Sequence, residues 1–411
     1  MTAKLYSRLA AKNITVAGPG RLAHPHTTGA VTGGIAAYKT CELVRLLVKS
    51  GAAVRVCMTQ AATEFVGPLT FAALSGHPVQ TQAFDGTMQH LALTRDCDLL
   101  IVAPATANIL AKAANGIADD LVSSVILASS CPVAVCPAMN SNMWAKASTQ
   151  RNIAQLKADG FAVLGPACGE LACGVSGAGR MIEPEEIAAH AARLLSPKIL
   201  QGKRFVVTAG PTFEALDPVR GITNRSSGKQ GYAVAQAAFE AGADVTLISG
   251  PTSIAAPYGV KAVPVVSAEE MNEAVHREAP GADVFVSVAA VSDWRAQAVA
   301  DEKIKKSDEP PALDLVENPD ILAQAAREFP SLYCVGFAAE TENVLENARG
   351  KRIRKLARMI VANNARSAIG CDMNEAVIVT ADKEVATGLV SKDVLAQTII
   401  ECIADDLAKE V

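Results

Sequence analysis

The sequence predicts an α/β protein built of two Rossmann-like domains, and three observations lead to that expectation. The chain has 411 residues, more than one hydrophobic core usually serves, so at least two domains are expected. Half of its residues are apolar and only 4% are aromatic, which suits Ala- and Val-rich layers of helix on sheet. Short β-prone runs alternate with helical apolar spacing from residue 27, and the alternation restarts with a fresh first strand at Arg204. The domains are therefore read as 27–195 and 204–411, with a linker at 196–203 and a disordered extension at 1–26.

Composition excludes several classes. A formal charge of -4 gives no reason to expect a nucleic acid partner. Ten cysteines at irregular spacing contain no Cys-x-x-Cys, against a structural zinc site or a secreted disulfide framework, and a reducing cytoplasm is the expected compartment. The most apolar long run, 121–139, is interrupted by serines and two prolines, so no membrane span is expected. Before Glu42 the chain has Lys4, Arg8, Lys12 and Arg21 with no acidic counterweight, but no apolar core for a secretory signal.

In the first half, residues 27–31 read as a strand that runs into Thr32-Gly33-Gly34-Ile35-Ala36-Ala37-Tyr38-Lys39, and residues 41–48 have helical spacing. A glycine turn between strand and helix exposes N–H groups at a positive helix end, where a phosphate can sit. A second strand at 53–58 ends at Thr59, and 63–65 enter the next helix. The strand at 98–102 delivers Ala103-Pro104-Ala105-Thr106-Ala107-Asn108, and that at 132–136 delivers Pro137-Ala138-Met139-Asn140. Small polar residues at four successive strand ends fit a flavodoxin-like sandwich with one ligand crevice. His90 opens a helix before the strand at 98; a lone histidine is more often structural. Residues 165–181 hold five glycines without strand or helix period, so they read as a mobile flap with Cys173 at its centre.

In the second half, the strand from Arg204 leads to Gly210-Pro211-Thr212, and Asn224-Arg225-Ser226-Ser227-Gly228-Lys229 precedes an amphipathic helix at 232–241. Glycine, hydroxyls and lysine at a helix N-terminus suit phosphate binding, although the Walker A spacing is missing. A long buried strand is expected at 283–291, ending at Ser292-Asp293-Trp294-Arg295. Lys303-Ile304-Lys305-Lys306, Gly336-Phe337-Ala338 and a basic cluster around Lys355 follow. A triphosphate and its magnesium suit such a set of lysines near an acidic strand end.

Gly-Glu-Leu-Ala-Cys-Gly at 169–174 with Gly-x-Gly-Arg-Met at 177–181 resembles the substrate clamp of flavin-dependent phosphopantothenoylcysteine decarboxylases. With the other motifs, the chain resembles the bacterial family that fuses this decarboxylase to phosphopantothenate–cysteine ligase, over roughly residues 28–405. The resemblance implies FMN bound by Gly33, Gly34, Thr59, Ala105, Thr106 and Asn108. It implies catalytic roles for His90, in Met-x-His-x-x-Leu, for Asn140, and for Cys173. Decarboxylation of an N-acyl cysteine leaves a carbanion with no electron sink, and a flavin can create one by oxidising the thiol. His90 then serves as acid and base, Asn140 holds the carboxylate, and Cys173 protonates the enethiol product.

For the second half, the resemblance implies a CTP- and Mg²⁺-dependent ligase that joins 4'-phosphopantothenate to L-cysteine through an acyl-cytidylate. Asn224 handles that intermediate, Lys303 serves the nucleotidyl transfer, and Asp293, Lys303, Phe337 and Lys355 contact CTP; no magnesium ligand is assigned. A homo-oligomer with the FMN site near a subunit interface is also implied. Three stretches depart from the family pattern: Lys146-Ala147 after Met-Trp-x, Val175 after Cys-Gly, and Arg358 in place of an acid. Two other classes compete, an FMN- or NADP-dependent oxidoreductase with a regulatory second domain and a nucleotide-binding scaffold without chemistry. The first requires net turnover of a reduced nicotinamide, and the second a missing His or Cys; His90, Asn140, Cys173, Asn224 and Lys303 all stand at motif positions and favour the bifunctional enzyme.

Overall fold

The computed structural model describes residues 25–83, 86–172, 174, 176–305, 312–340, 343–364 and 372–409. The chain divides into two compact units with the boundary between Leu195 and Ser196. Cys173 and Val175 lie outside the described residues, as does most of the expected N-terminal extension. Among the described residues no helix is long and apolar enough to cross a membrane.

The first unit is built on strands β1 (His26–Val31), β2 (Ala53–Met58), β3 (Leu99–Ala105), β4 (Val133–Pro137) and β5 (Ala162–Val163), in the order β2-β1-β3-β4-β5. All four pairings are parallel. Side chains alternate between two cores. Val54, Val56, Leu99 and Ile101 face the helices Ala37–Lys49 and Pro184–Leu195, whereas Leu100, Val102, Val133 and Val135 face Ile109, Leu121 and Val125. A sheet buried on both faces needs near-continuous apolar strands, which these are. The strand order reverses between β1 and β3, so a crevice opens outside their carboxyl ends.

Two local expectations for this unit are corrected. Residues 63–65 do not enter a helix: a short helix, Gln60–Thr63, ends there, and the next begins at Pro68, whose fixed φ suits a first helical position. The glycine-rich stretch is not irregular either. It forms an antiparallel hairpin of β6 (Ala167–Glu170) and β7 (Ser176–Arg180). A two-stranded ribbon needs no apolar face of its own when it docks on something else, so its sequence carries no period.

The second unit holds an eight-stranded sheet. Its strands are β8 (Arg204–Ala209), β11 (Asp244–Ser249), β12 (Lys261–Pro264), β13 (Val284–Ser287), β16 (Tyr333–Glu340), β17 (Met359–Asn364), β18 (Met373–Val379) and β19 (Glu384–Ser391). The order is β12-β11-β8-β13-β16-β17-β18-β19, parallel as far as β17 and antiparallel beyond it. Two hairpin-like pairs stand outside it, β9 (Phe213–Ala215) with β10 (Gly221–Thr223), and β14 (Trp294–Ala296) with β15 (Leu315–Glu317). Of the stretch expected as a linker, Leu200 is buried in this unit's core and its N–H donates to the Ala241 carbonyl (3.0 Å), so the chain has already joined the unit there.

The strand expected over 283–291 stops at Ser287. Beyond it the Ala289 N–H donates to the Thr208 hydroxyl oxygen (3.3 Å), and the Ala290 N–H to the Gly210 carbonyl (2.9 Å). The chain has thus left the ladder to lie across the end of β8. Thr212, fully buried, completes this crossing: its N–H donates to the Ala290 carbonyl (3.2 Å), and its hydroxyl oxygen accepts the Ser292 N–H (3.0 Å). Thr212→Val keeps the shape and leaves a buried N–H without its acceptor, so a loss of about 1–3 kcal/mol is expected. The midpoint of urea unfolding checks this; an unchanged midpoint would show that Ser292 finds another acceptor.

Candidate active sites

The carboxyl ends of the first sheet enclose a cavity of about 1150 Å³. Its floor is made of loop residues that the strands deliver in turn. Thr32, Gly33 and Gly34 follow β1, Thr59 follows β2, Thr106 and Asn108 follow β3, and Asn140 follows β4; all line the cavity. Ala105, the last residue of β3, is fully buried behind them. Three of these residues open helices. Thr59 accepts the Ala62 N–H (3.2 Å), Thr106 the Ile109 N–H (3.4 Å) and Asn140 the Asn142 N–H (2.8 Å), so three helix N-termini face one space. The buried Thr32 hydroxyl donates to the Pro104 carbonyl (2.7 Å) and accepts the Thr106 N–H (3.3 Å), holding the β1 and β3 turns together.

The hairpin closes one side of this cavity. Glu170, Leu171, Ala172, Gly179 and Arg180 line it. The Met139 N–H donates to the Gly179 carbonyl (2.9 Å), and a Cβ on Gly179 would stand 2.2 Å from the Met139 carbonyl oxygen. Only glycine permits that approach, so Gly179 serves docking on the loop before Asn140, while an added Cβ on Gly177 would stand 3.0 Å from the Ser141 Cβ just beyond it. Cys173 was expected at the centre of this segment and lies outside the described residues.

Charged groups around the cavity are paired. The Lys39 ammonium lies 2.9 Å from Glu183, which also bonds Arg180. Burial pushes the Glu183 carboxyl upward, but the bonds from Lys39 and Arg180 outweigh it and hold the group below its ordinary 4.5. Lys112 is bonded to Asp119 (2.6 Å) and Asp120 (2.7 Å), which raise its pKa. Arg180, Lys112 and Asp120 line the site and were not singled out from sequence. Arg180 stood in the Gly-x-Gly-Arg-Met motif, whereas Lys112 and Asp120 belong to a helix face and a cap that give no local signal.

His90 stands apart. It opens the helix Gln89–Thr94, where its carbonyl accepts the Thr94 hydroxyl (2.9 Å), and it is not among the residues lining the cavity. Met88 and Leu91 beside it are 69% and 41% exposed.

In the second unit the expected residues lie on separate loops, one strand and one helix end. The Asn224 amide donates to the Ala290 carbonyl (3.0 Å), beside the crossing over β8. Asp293 follows that crossing, and its carbonyl accepts the Asn318 N–H (2.9 Å). Phe337 lies in β16, packs partly buried against the core, and its carbonyl accepts the Lys351 ammonium (2.8 Å). Lys355 is paired with Asp320, the cap of the helix Ile321–Glu328. Lys303 is exposed, and the segment around it is bound to the connection between β9 and β10. Lys229, at the start of its helix, is paired with Asp372 (2.8 Å).

Residues 200–407 match the family model described as DNA/pantothenate metabolism flavoprotein C-terminal domain, and residues 17–196 match the Flavoprotein family. The chain is similar to Coenzyme A biosynthesis bifunctional protein CoaBC of Vibrio cholerae, with 46% identity over 387 residues, 92% of this chain and 97% of that one. Its similarity to the protein of the same name from Escherichia coli is 46% over 383 residues, 90% of this chain and 94% of the other. Among solved structures, the crystal structure of the C-terminal domain of CoaBC is 38% identical, covers 52% of this chain and 99% of its own, and gives a TM-score of 0.46.

The Glu183 pair makes a pH-dependent prediction. A carboxyl whose folded pKa is depressed adds stability above its unfolded value, and this is lost as pH falls through the folded value. Lys39→Met should therefore lower the thermal midpoint at pH 7, and the gap to the parent protein should close below pH 4.5. A gap of constant size from pH 7 to acid would mean that lost packing, not charge, is responsible.

Proposed function

The chain belongs to the family of bifunctional coenzyme A biosynthesis proteins, which join phosphopantothenate–cysteine ligase to a flavin-dependent phosphopantothenoylcysteine decarboxylase, and on that premise we propose how its residues divide the work. In this reading the first unit is the decarboxylase and binds FMN in the cavity at the strand ends. The observation that supports it is the convergence there of three capped helix N-termini with glycines of two kinds. At Gly33 an added Cβ would meet the Ala61 Cβ at 2.5 Å, so packing alone demands glycine. At Gly34 it would meet nothing closer than 3.6 Å, so the protein's own packing does not demand one, and room for a ligand is the remaining reason.

FMN, when bound, supplies the two-electron exchange that oxidises the substrate thiol before carbon dioxide leaves and returns the electrons afterwards. Thr106, Asn108 and the N–H groups behind Gly33 and Gly34 hold the cofactor, with Thr59 and Ala105 shaping its edge. Asn140 has its amide oriented by the Asn142 N–H and donates to the substrate carboxylate. Cys173 delivers a proton to the enethiol carbon after decarboxylation. His90 is the acid and base, supplied by a second copy of the chain; its absence from the cavity lining and the exposed Met88 and Leu91 beside it favour a homo-oligomer with the site near an interface.

The second unit is the ligase. CTP activates the phosphopantothenate carboxylate as an acyl-cytidylate, and the cysteine amine then displaces CMP. Asn224 assists the intermediate; Asp293, Phe337 and Lys355 hold the nucleotide; Lys303 meets the negative charge that develops during nucleotidyl transfer. Among the described residues no three His, Cys, Asp or Glu side chains converge on a metal position, so no protein site for magnesium is assigned and the ion comes with the triphosphate. The reading places the reaction in a reducing cytoplasm, as ten cysteines at irregular spacing suggest.

Two measurements test this division. His90→Asn and Asn140→Asp should each abolish carbon dioxide release, and co-expression of the two variants should restore part of it, because mixed oligomers contain sites with one intact residue from each copy. No recovery would place both residues in one chain's site. In the other unit, Asn224→Asp should still release pyrophosphate but incorporate little cysteine, whereas Lys303→Gln should release little pyrophosphate. Equal pyrophosphate release from both variants would overturn the ligase assignments.

A further inference from the structure

Lys303 and Lys305 stand on a stretch, residues 297–305, that forms neither helix nor strand. Its position is set by bonds to the connection between β9 and β10. The Ala300 N–H donates to the Leu216 carbonyl (3.0 Å). Both backbone groups of Ile304, the residue between the two lysines, are also taken up: its N–H donates to Asp217 Oδ2 (3.1 Å), and its carbonyl accepts Arg220 Nη2 (2.8 Å).

Asp217 is the hub of this arrangement. It is 2% exposed, and its Oδ1 accepts the Val219 N–H (2.7 Å) and the Arg220 N–H (2.8 Å). The same carboxylate therefore shapes the turn that leads through β10 into Asn224 and fixes the segment that carries Lys303. Burial pushes this carboxyl upward, but the three N–H donors outweigh it and keep the group ionised, below the usual carboxylate range. An ionised carboxylate offers only acceptors, as three converging N–H groups require. An Asn amide must turn its own NH₂ toward one of them.

We propose that Asp217 is a positioning residue for the ligase reaction, holding the Lys303–Lys305 backbone in register with the turn that leads to Asn224. The exposed lysine heads can then follow the charge that develops on the nucleotide, while their Cα positions do not drift. The inference rests on the role assigned to Lys303 above.

The test uses Asp217→Asn in the full chain. Trypsin should cut faster after Lys303 and Lys305 in the folded variant, and kcat for pyrophosphate release should fall on the order of 10- to 100-fold. KM for cysteine should hold, and decarboxylation of supplied phosphopantothenoylcysteine should be unchanged. Unchanged cleavage would overturn the anchoring. Faster cleavage with normal pyrophosphate release would overturn the positioning role; normal release from Lys303→Gln as well would locate the failure in the assignment of Lys303 itself. If Asp217→Asn does not fold, Arg220→Gln removes the bond to the Ile304 carbonyl and the 3.8 Å ion pair with Asp217 while leaving the Asp217 carboxylate and its three N–H donors in place, and should also speed cleavage after Lys303 and Lys305; unchanged cleavage there would again overturn the proposal.

Discussion

Both units depend on one threonine placed just beyond the first strand of a parallel sheet. Thr32 follows β1 and spans to the Pro104 carbonyl and the Thr106 N–H beyond β3; Thr212, three residues past β8, spans to the Ala290 carbonyl and the Ser292 N–H beyond β13. In each sheet this is the place where strand order reverses and neighbouring connections run to opposite faces. The reversal opens a crevice and leaves backbone polar groups without ladder partners. A buried threonine satisfies them from both sides: the Thr32 hydroxyl donates and accepts at once, and Thr212 donates its backbone N–H and accepts through its hydroxyl oxygen. The crevice then stays open at its mouth and closed at its floor.

Much of the first site was legible because its signals are local. Thr59, Thr106 and Asn140 are helix caps, and a cap is written within four residues of sequence. The strands ahead of them are apolar on both faces, so parallel pairing and the carboxyl-edge crevice followed from composition and alternation alone. The restart at Arg204 was legible for the same reason. The resemblance added the identity of the ligands, which no spacing contains.

What escaped the sequence was set by partners distant along the chain. The hairpin of β6 and β7 looks structureless because a glycine such as Gly179 answers to the Met139 carbonyl, some forty residues away in sequence. The strand expected over 283–291 is apolar to its end, yet its last residues serve Gly210 and Thr212 instead of the ladder. His90 shows the opposite failure. Its motif is explicit, yet the fold leaves it off the lining of the first cavity.

The cations that invite a phosphate reading also answer to distant partners: Lys39 and Arg180 to Glu183, Lys112 to Asp119 and Asp120, Lys229 to Asp372, Lys355 to Asp320. The lysines are largely covered, but each cluster has a carboxylate open to solvent, and the screening there limits the stability gained. An unpaired lysine beside a helix N-terminus attracts any small anion. A paired one yields only to a ligand whose charge exceeds that of the carboxylate it displaces. Asp320 cannot leave with the ligand, since its other oxygen accepts the Ala323 N–H at the start of the next helix. On the proposed reading that Lys355 contacts the nucleotide, it must swing away from a fixed negative charge to do so. A phosphate carrying close to two charges can drive that exchange, whereas a monoanion gains about as much as it loses. On the proposed reading that these lysines meet phosphates, the pairing favours multiply charged groups over monoanions.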